Sequence, residues 1–287
     1  MSSSPEVPFR NVIRKCWKGF NETRHLVIFG DSYSDVGFDA CGYDIDEVTE
    51  DNPLGVEWPG NPFCELNQPN WVGYVAHDRK ESDNPLLVFD YAVGGHTVQG
   101  VINQVNDYFI PNQESIQWYP NDTLFVTWVG INDVGSFVDP ERAIRELISL
   151  QKDLYALGAR NFLFIDVPPI DRSPAGLDLD MTPDRYEEWN STLSTTLLKF
   201  SQEHDEATVL LFSAWDTFTK ILDDPAHYGM DDEDEHVTGR RIWFDDLHPS
   251  TWVHKVLSGE IMSFLHSHTP LANESEGERE GVDASGS

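Results

Sequence analysis

The amino-acid sequence predicts an α/β protein, a three-layer α/β/α sandwich on a parallel sheet, and three observations predict it. Short runs rich in Val, Ile, Leu and Phe alternate along the chain with longer stretches of helical period. The runs are apolar at successive residues, as strands covered on both faces must be. Helix-length segments separate one run from the next, which is the spacing of parallel βαβ units.

The chain begins with a polar stretch, residues 1–23, that reads as an arm with a short helix around residues 12–17. Residues 25–29 form the first strand and break at Gly30 into small and polar residues, as a strand-to-helix turn does. Residues 38–69 are rich in Gly, Pro, Asp and Asn and read as a long loop. Loops of that length are uncommon inside a compact domain unless functional or flexible. This one is either a surface insertion with its own aromatic cluster or a wall beside the first strand's end. A helix starts near Asn70, a second strand follows at residues 86–89, and residues 98–110 form a helix with Val101, Ile102, Val105 and Phe109 on one face. Residues 123–129 are a strand, and residues 140–157 a helix closing at Gly158. The strands at 161–167 and 208–212 flank a helix that opens at Thr182-Pro183 and runs through Phe200. Residues 250–266 form the last helix, with Trp252, Val256 and Leu265 in its apolar pattern. A single domain is expected over residues 24–269, and the Glu-, Ser- and Gly-rich tail at 270–287 is expected to be disordered.

Composition narrows the function. The 287 residues can bury a sizeable core, and 39% hydrophobic with 12% aromatic is a globular composition. A net charge of -31, from 19 Lys+Arg against 50 Asp+Glu, argues against nucleic acid and anionic membranes as partners and favours a neutral small-molecule substrate. No run reaches the roughly 20 apolar residues of a membrane span. The N-terminal stretch shows no signal-peptide pattern and the three cysteines are odd in number, so a cytoplasmic monomer is expected. Four Asn-x-Ser/Thr matches, at Asn21, Asn121, Asn190 and Asn273, and a Cys41 to Cys64 bridge are what the secreted alternative would rest on. The acidic run at residues 231–235 lacks the ligand spacing and central glycine of a calcium loop and reads as solvated surface.

Ser32, just past the first strand, sits where ligands bind in open α/β sheets. Its hydroxyl needs a base to become a nucleophile. Asp245 and His248, three positions apart, supply an acid and an imidazole that can rise from one turn. Asp31 and Asp35, beside Ser32, are alternative acids by sequence distance. Ser34 stands where a Gly-x-Ser-x-Gly elbow needs glycine, which argues against an α/β-hydrolase. No Asn-His-Asp or Asn-His-Glu tripeptide accompanies Asp31 and Asp35, which argues against a metal-dependent phosphatase.

Four ordered blocks resemble the GDSL or SGNH hydrolases: Gly30-Asp31-Ser32, Gly94-Gly95, Gly130-Ile131-Asn132-Asp133 and Asp245-Asp246-Leu247-His248. The resemblance implies a flavodoxin-like sheet and a serine ester hydrolase without metal or cofactor. Residue by residue, it implies Ser32 as nucleophile, His248 as proton carrier and Asp245 as the acid that orients it. It implies an oxyanion hole from the Ser32 and Gly95 amides and the Asn132 side chain, with Gly94 the near alternative to Gly95. On the bland reading the two glycines only make a tight turn and Asn132 only caps a helix. Asp31, Gly94, Trp58 and Trp243 are further candidates for substrate contact, Asp31 doubling as turn scaffold and Trp243 as a core residue. Residues 29–37 with Asn61-Pro62, Asn70-Trp71 and Tyr91-Ala92-Val93-Gly94-Gly95 are similar to fungal acetylesterases of carbohydrate esterase family 16. That similarity implies acetyl esters, acetylated sugars among them, whereas the wider family also holds lipases and phospholipases for long acyl chains.

Overall fold

A computed structural model describes residues 9–39 and 45–272. Five strands, β1 (His25–Gly30), β2 (Leu87–Asp90), β3 (Thr123–Trp128), β4 (Asn161–Ile165) and β5 (Thr208–Phe212), form one sheet in the order β2-β1-β3-β4-β5. Every neighbouring pair is parallel, so the architecture is the flavodoxin-like sandwich the sequence implies. The continuous apolar runs have their cause here: all residues of β1, β3 and β4 are buried.

The helices are α1 (Trp71–Lys80), α2 (Val98–Asn103), α3 (Ile110–Ile116), α4 (Ile131–Gly135), α5 (Pro140–Ala156), α6 (Pro174–Asp178), α7 (Pro183–Glu203), α8 (Ala214–Asp223) and α9 (Thr251–Ser267). α1 packs on α9 in one layer, and α2, α5 and α7 pack together in the other. α2 and α3 are joined by a π-helical turn, Gln104–Phe109, so the helix read at residues 98–110 continues to Ile116. α8 is absent from the sequence reading, although Ala214, Phe218, Ile221 and Leu222 bury one face at helical spacing and Ser213 caps it by accepting from the Asp216 N–H.

Three expectations are corrected. Residues 9–23 are docked onto the domain: Val12 bridges Val209 on β5, and Trp17 and Phe20 are buried, because their apolar side chains find the core edge. No helix forms at residues 12–17. On α9 the buried face is Val253, Leu257, Ile261 and Leu265, and Trp252 is 52% exposed because it lies one residue out of that register. Among the described residues no helix is long and apolar enough to cross a membrane. Cys41 and residues 273–287 lie outside the described residues, so the Cys41 to Cys64 pairing and the fate of the tail do too.

Candidate active site

The candidate residues converge at the carboxyl ends of β1, β2 and β3 because a parallel sheet sends every strand-to-helix turn to the same edge. Ser32 follows β1, Gly94 and Gly95 follow β2, and Asn132 opens α4 after β3. Asp245 and His248 come from the segment between α8 and α9, just ahead of the Ser250 cap of α9.

Ser32 Oγ lies 2.8 Å from His248 Nε2, and His248 Nδ1 lies 2.8 Å from Asp245 Oδ2. Asp245 Oδ1 accepts from the Leu247 and His248 backbone N–H groups, so the carboxylate is fixed by the same short turn that carries the imidazole. Burial works against the charged Asp245 carboxylate, but the His248 and Leu247 hydrogen bonds outweigh it and hold its pKa below the ordinary value. A carboxylate so held fixes the proton on Nδ1 and leaves Nε2 to accept from the Ser32 hydroxyl. The neighbouring acids do not take this part: Asp31 Oδ1 accepts from the Tyr33 N–H, and Asp35 accepts from the Gly37 and Gly94 N–H groups. The two halves of the site are tied by Tyr33, whose hydroxyl donates to the Leu247 carbonyl at 2.7 Å.

The loop after β2 carries Gly95, whose neighbours Gly94 and His96 have their N–H groups bonded to Asp35 and to the Val93 carbonyl. Gly95 sits at φ +78, a conformation that L side chains rarely adopt. Among the described residues no other hydrogen bond takes the Ser32 or Gly95 N–H. Asn132 Nδ2 donates to the His96 carbonyl at 2.9 Å, which spends one of its two hydrogens on holding the side chain in place and leaves the second.

A residue the sequence reading passes over ties these parts together. Gln104 is fully buried in the π-helical turn; its Oε1 accepts from the Gly30 N–H, and its Nε2 donates to the Gly30 carbonyl and to His96 Nδ1 at 2.7 and 2.9 Å. The nucleophile turn and the Gly95 loop are thus braced by one amide. π-turns occur frequently at functional sites, but nothing in the residue string 98–116 marks one. As an acceptor from Gln104, Nδ1 leaves the His96 proton on Nε2, and burial lowers the ring's pKa against the opposing pull of Asp35.

A group of acids lies under the site. Burial pushes Asp31 up to about 7, against the Tyr33 N–H bond and helped by Asp133 and Asp35. Burial also pushes Asp133 up to about 6, although both its oxygens accept from the Val98 N–H, and carries Asp90 well above the ordinary range. His254, buried behind His248, is pushed down to about 3 by burial and then by His248.

The candidate substrate contacts need correction. Trp243 is 0% exposed and donates to the Glu235 carbonyl, so it is a core residue. Asp31 is also 0% exposed; its side chain points into the turn and cannot meet substrate. The Gly94 N–H is held by Asp35 at 2.8 Å, which removes it as an oxyanion donor. Trp58 is 46% exposed and lies tilted against His77 of α1 with centroids 4.7 Å apart, on the loop but against a different ring from those of the site. The aromatic ring the long loop does bring to the site is Phe63, stacked on His248 at 5.0 Å. Among the described residues no group of three or more His, Cys, Asp and Glu side chains is placed to hold a metal ion.

Comparison with known proteins gives a consistent result. The model of the GDSL-like lipase/acylhydrolase family matches residues 26–261. An acetylesterase of Thermothelomyces thermophilus is 29% identical over 271 residues, covering 83% of this chain and 87% of that protein. Axe2, an acetylxylan esterase from Geobacillus stearothermophilus, superposes with a TM-score of 0.56 at 15% identity, covering 88% of this chain and 96% of the other. A lipolytic G-D-S-L family member from Veillonella parvula superposes with a TM-score of 0.51 at 16% identity, covering 83% and 96%. At those identities the two structures speak for the fold alone.

Proposed function

The chain belongs to the GDSL-like lipase/acylhydrolase family and is a carboxylic ester hydrolase; from that premise we propose that it works through an acyl-enzyme on Ser32 and takes acetyl and other short acyl esters, acetylated sugars among them. The observation that carries the mechanism is the relay of two 2.8 Å contacts from Ser32 through His248 to Asp245.

In this mechanism Ser32 Oγ attacks the ester carbonyl carbon while its proton passes to His248 Nε2. The carbonyl oxygen becomes an oxyanion that accepts from the Ser32 N–H, the Gly95 N–H and the second hydrogen of Asn132 Nδ2, donors already aimed before the charge develops. His248 returns the proton to the leaving alkoxide, and the acyl group stays on Ser32. A water then takes the place of the alcohol: His248 removes its proton, the hydroxide attacks the acyl carbon, and Ser32 leaves with the proton His248 returns. Asp245 stays ionised throughout and keeps the imidazolium in place. The short-acyl reading is supported by the acetylesterase relative, and a net charge of -31 suits a neutral ester better than an anionic one.

The test compares p-nitrophenyl acetate with p-nitrophenyl octanoate on the wild type and on Ser32→Ala. Acetate hydrolysis that falls roughly 10⁶-fold in Ser32→Ala, the order for removing a triad nucleophile, is the expected result. Equal hydrolysis by the two proteins would sink the serine mechanism and leave a binding role. A clear octanoate preference in the wild type would instead place the chain with the long-chain lipases.

A further inference from the structure

We propose that Phe63 is the specificity-determining residue of this site, a fixed ring that limits the acyl group to a short chain; the inference rests on the ester-hydrolase reading above. Phe63 stacks on the His248 ring with centroids 5.0 Å apart and planes 29° apart. Its far edge reaches the Gly95 loop: a Cβ built on Gly94 would stand 2.4 Å from Phe63 Cζ and 2.7 Å from Cε2. No side chain fits at position 94 with the ring where it is, so glycine there is the complement of Phe63. The ring therefore spans from the proton carrier to the oxyanion loop.

The ring is held from both sides. Two residues before it, the Asn61 N–H donates to the Val36 carbonyl of the nucleophile turn at 2.9 Å. Two residues after it, Glu65 Oε2 accepts from the Thr251 N–H at the start of α9 at 2.7 Å. Cys64 between them is buried, and its thiol donates to the Gln68 carbonyl. Phe63 itself stays 39% exposed, an apolar ring at the mouth of a polar site.

The reaction geometry assigns the ring its role. With the carbonyl carbon on Ser32 Oγ, the oxyanion points to Gly95 and Asn132, and the leaving oxygen takes the in-plane direction of His248 Nε2. Phe63 covers the face of that imidazole and reaches Gly94; in the proposal the acyl substituent lies on that side. A methyl group needs little of that space. A longer chain meets the ring, and the anchors at Asn61 and Glu65 resist its displacement.

The experiment measures kcat/KM for p-nitrophenyl acetate, butyrate and octanoate, a series with one leaving group, on the wild type, Phe63→Ala, Phe63→Leu and Phe63→Trp, each also carried on the Ser32→Ala background. Removing the ring is expected to raise the octanoate-to-acetate ratio at least about tenfold, the lower end of what one methylene is worth in a fitted pocket. Leu is expected to fall between Phe and Ala, and Trp to depress butyrate relative to acetate. If Phe63→Ala does not fold, as judged by its circular dichroism and melting temperature, the Leu and Trp variants carry the same ordering. A ratio unchanged across folded variants, or a wild type that already takes octanoate as well as acetate, overturns the proposal. Hydrolysis that survives in the Ser32→Ala background overturns the parent mechanism instead.

Discussion

Replacing Gln104 with Leu tests whether the site is built by the buried amide that joins its two loops. Leu is close to Gln in size and leaves no large cavity, so the effect comes from hydrogen bonds. The Gly30 N–H loses its partner Gln104 Oε1 and is left buried with none. The Gly30 carbonyl loses the 2.7 Å bond from Gln104 Nε2 but keeps the Val93 N–H at 3.3 Å, and His96 Nδ1 loses its donor. An orphaned buried N–H costs about 1–3 kcal/mol and each of the other two lost bonds about 0.5–1.5, so the variant is expected to lose about 2–6 kcal/mol. At about 2–4 °C per kcal/mol, the melting temperature falls by at least about 4 °C. Activity falls further than stability explains. At a temperature where both proteins are fully folded, kcat on p-nitrophenyl acetate is expected to drop by about 10-fold or more, because a misplaced donor forfeits part of the 10²- to 10³-fold that one oxyanion contact supplies. A Gln104→Leu variant that melts within about 1 °C of the wild type and keeps its kcat would refute the reasoning.

Asn132→Ala removes a side-chain donor while leaving the Ser32 to His248 contact in place, so kcat should fall about 10²- to 10³-fold with KM little changed; steady-state kinetics checks this, and a KM effect alone would argue that Asn132 only binds. Asp31→Asn isolates one buried acid. Its folded pKa is raised from 3.8 to about 7, so the stability contributed by the protonated carboxyl is full below about pH 3.8 and is lost as pH rises through 7. Asn is neutral at every pH, so the melting temperature of Asp31→Asn minus that of the wild type should grow from pH 5 to pH 8. Taking that difference cancels buried titrating groups that do not interact with Asp31, such as Asp166, also raised to about 7, and His254, lowered to about 3. A difference that stays flat over the range would show that Asp31 is ionised in the fold well below neutral pH.

What the sequence made legible followed from local strings. Residues 25–29 and 123–129 are mostly apolar at successive positions, so they read as buried strands, and the turns after them carry Ser32 and Asn132 to a common edge by topology alone. Asp245 and His248 are legible together because three residues of one turn separate them and both backbone N–H bonds to Asp245 lie inside that turn. Gln104 was not legible because its three partners lie on β1 and on the Gly95 loop, 74 and 8 residues away, and because its π-turn leaves no mark in the residue pattern. Trp243 misled for a related reason: adjacency to Asp245 along the chain says nothing about which way a side chain turns, and here it turns inward to Glu235.

The long loop shows how far the same argument extends. Composition left residues 38–69 open between insertion and wall, and tryptophan, the larger and more conspicuous ring, drew attention to Trp58. In the fold the Trp58 ring lies against His77 of α1, while the smaller Phe63 reaches His248. What separates them is anchoring. Asn61 is tied to the nucleophile turn and Glu65 to α9, and a ring placed between those two ties is carried over the gap between the elements they join. Neither tie is a short-range pattern: Asn61 reaches back 25 residues and Glu65 forward 186. The chemistry of the site therefore lies in four short blocks near the strand ends, whereas the placement of the Phe63 ring depends on long-range bonds, one from a backbone N–H and one to a side chain. Glu65→Ala, which removes the acceptor of the Thr251 N–H, should accordingly raise the octanoate-to-acetate ratio without touching Ser32, His248 or Asp245, by loosening one of the two ties on either side of the ring, whereas side-chain changes at Asn61, whose tie is its backbone N–H, should not.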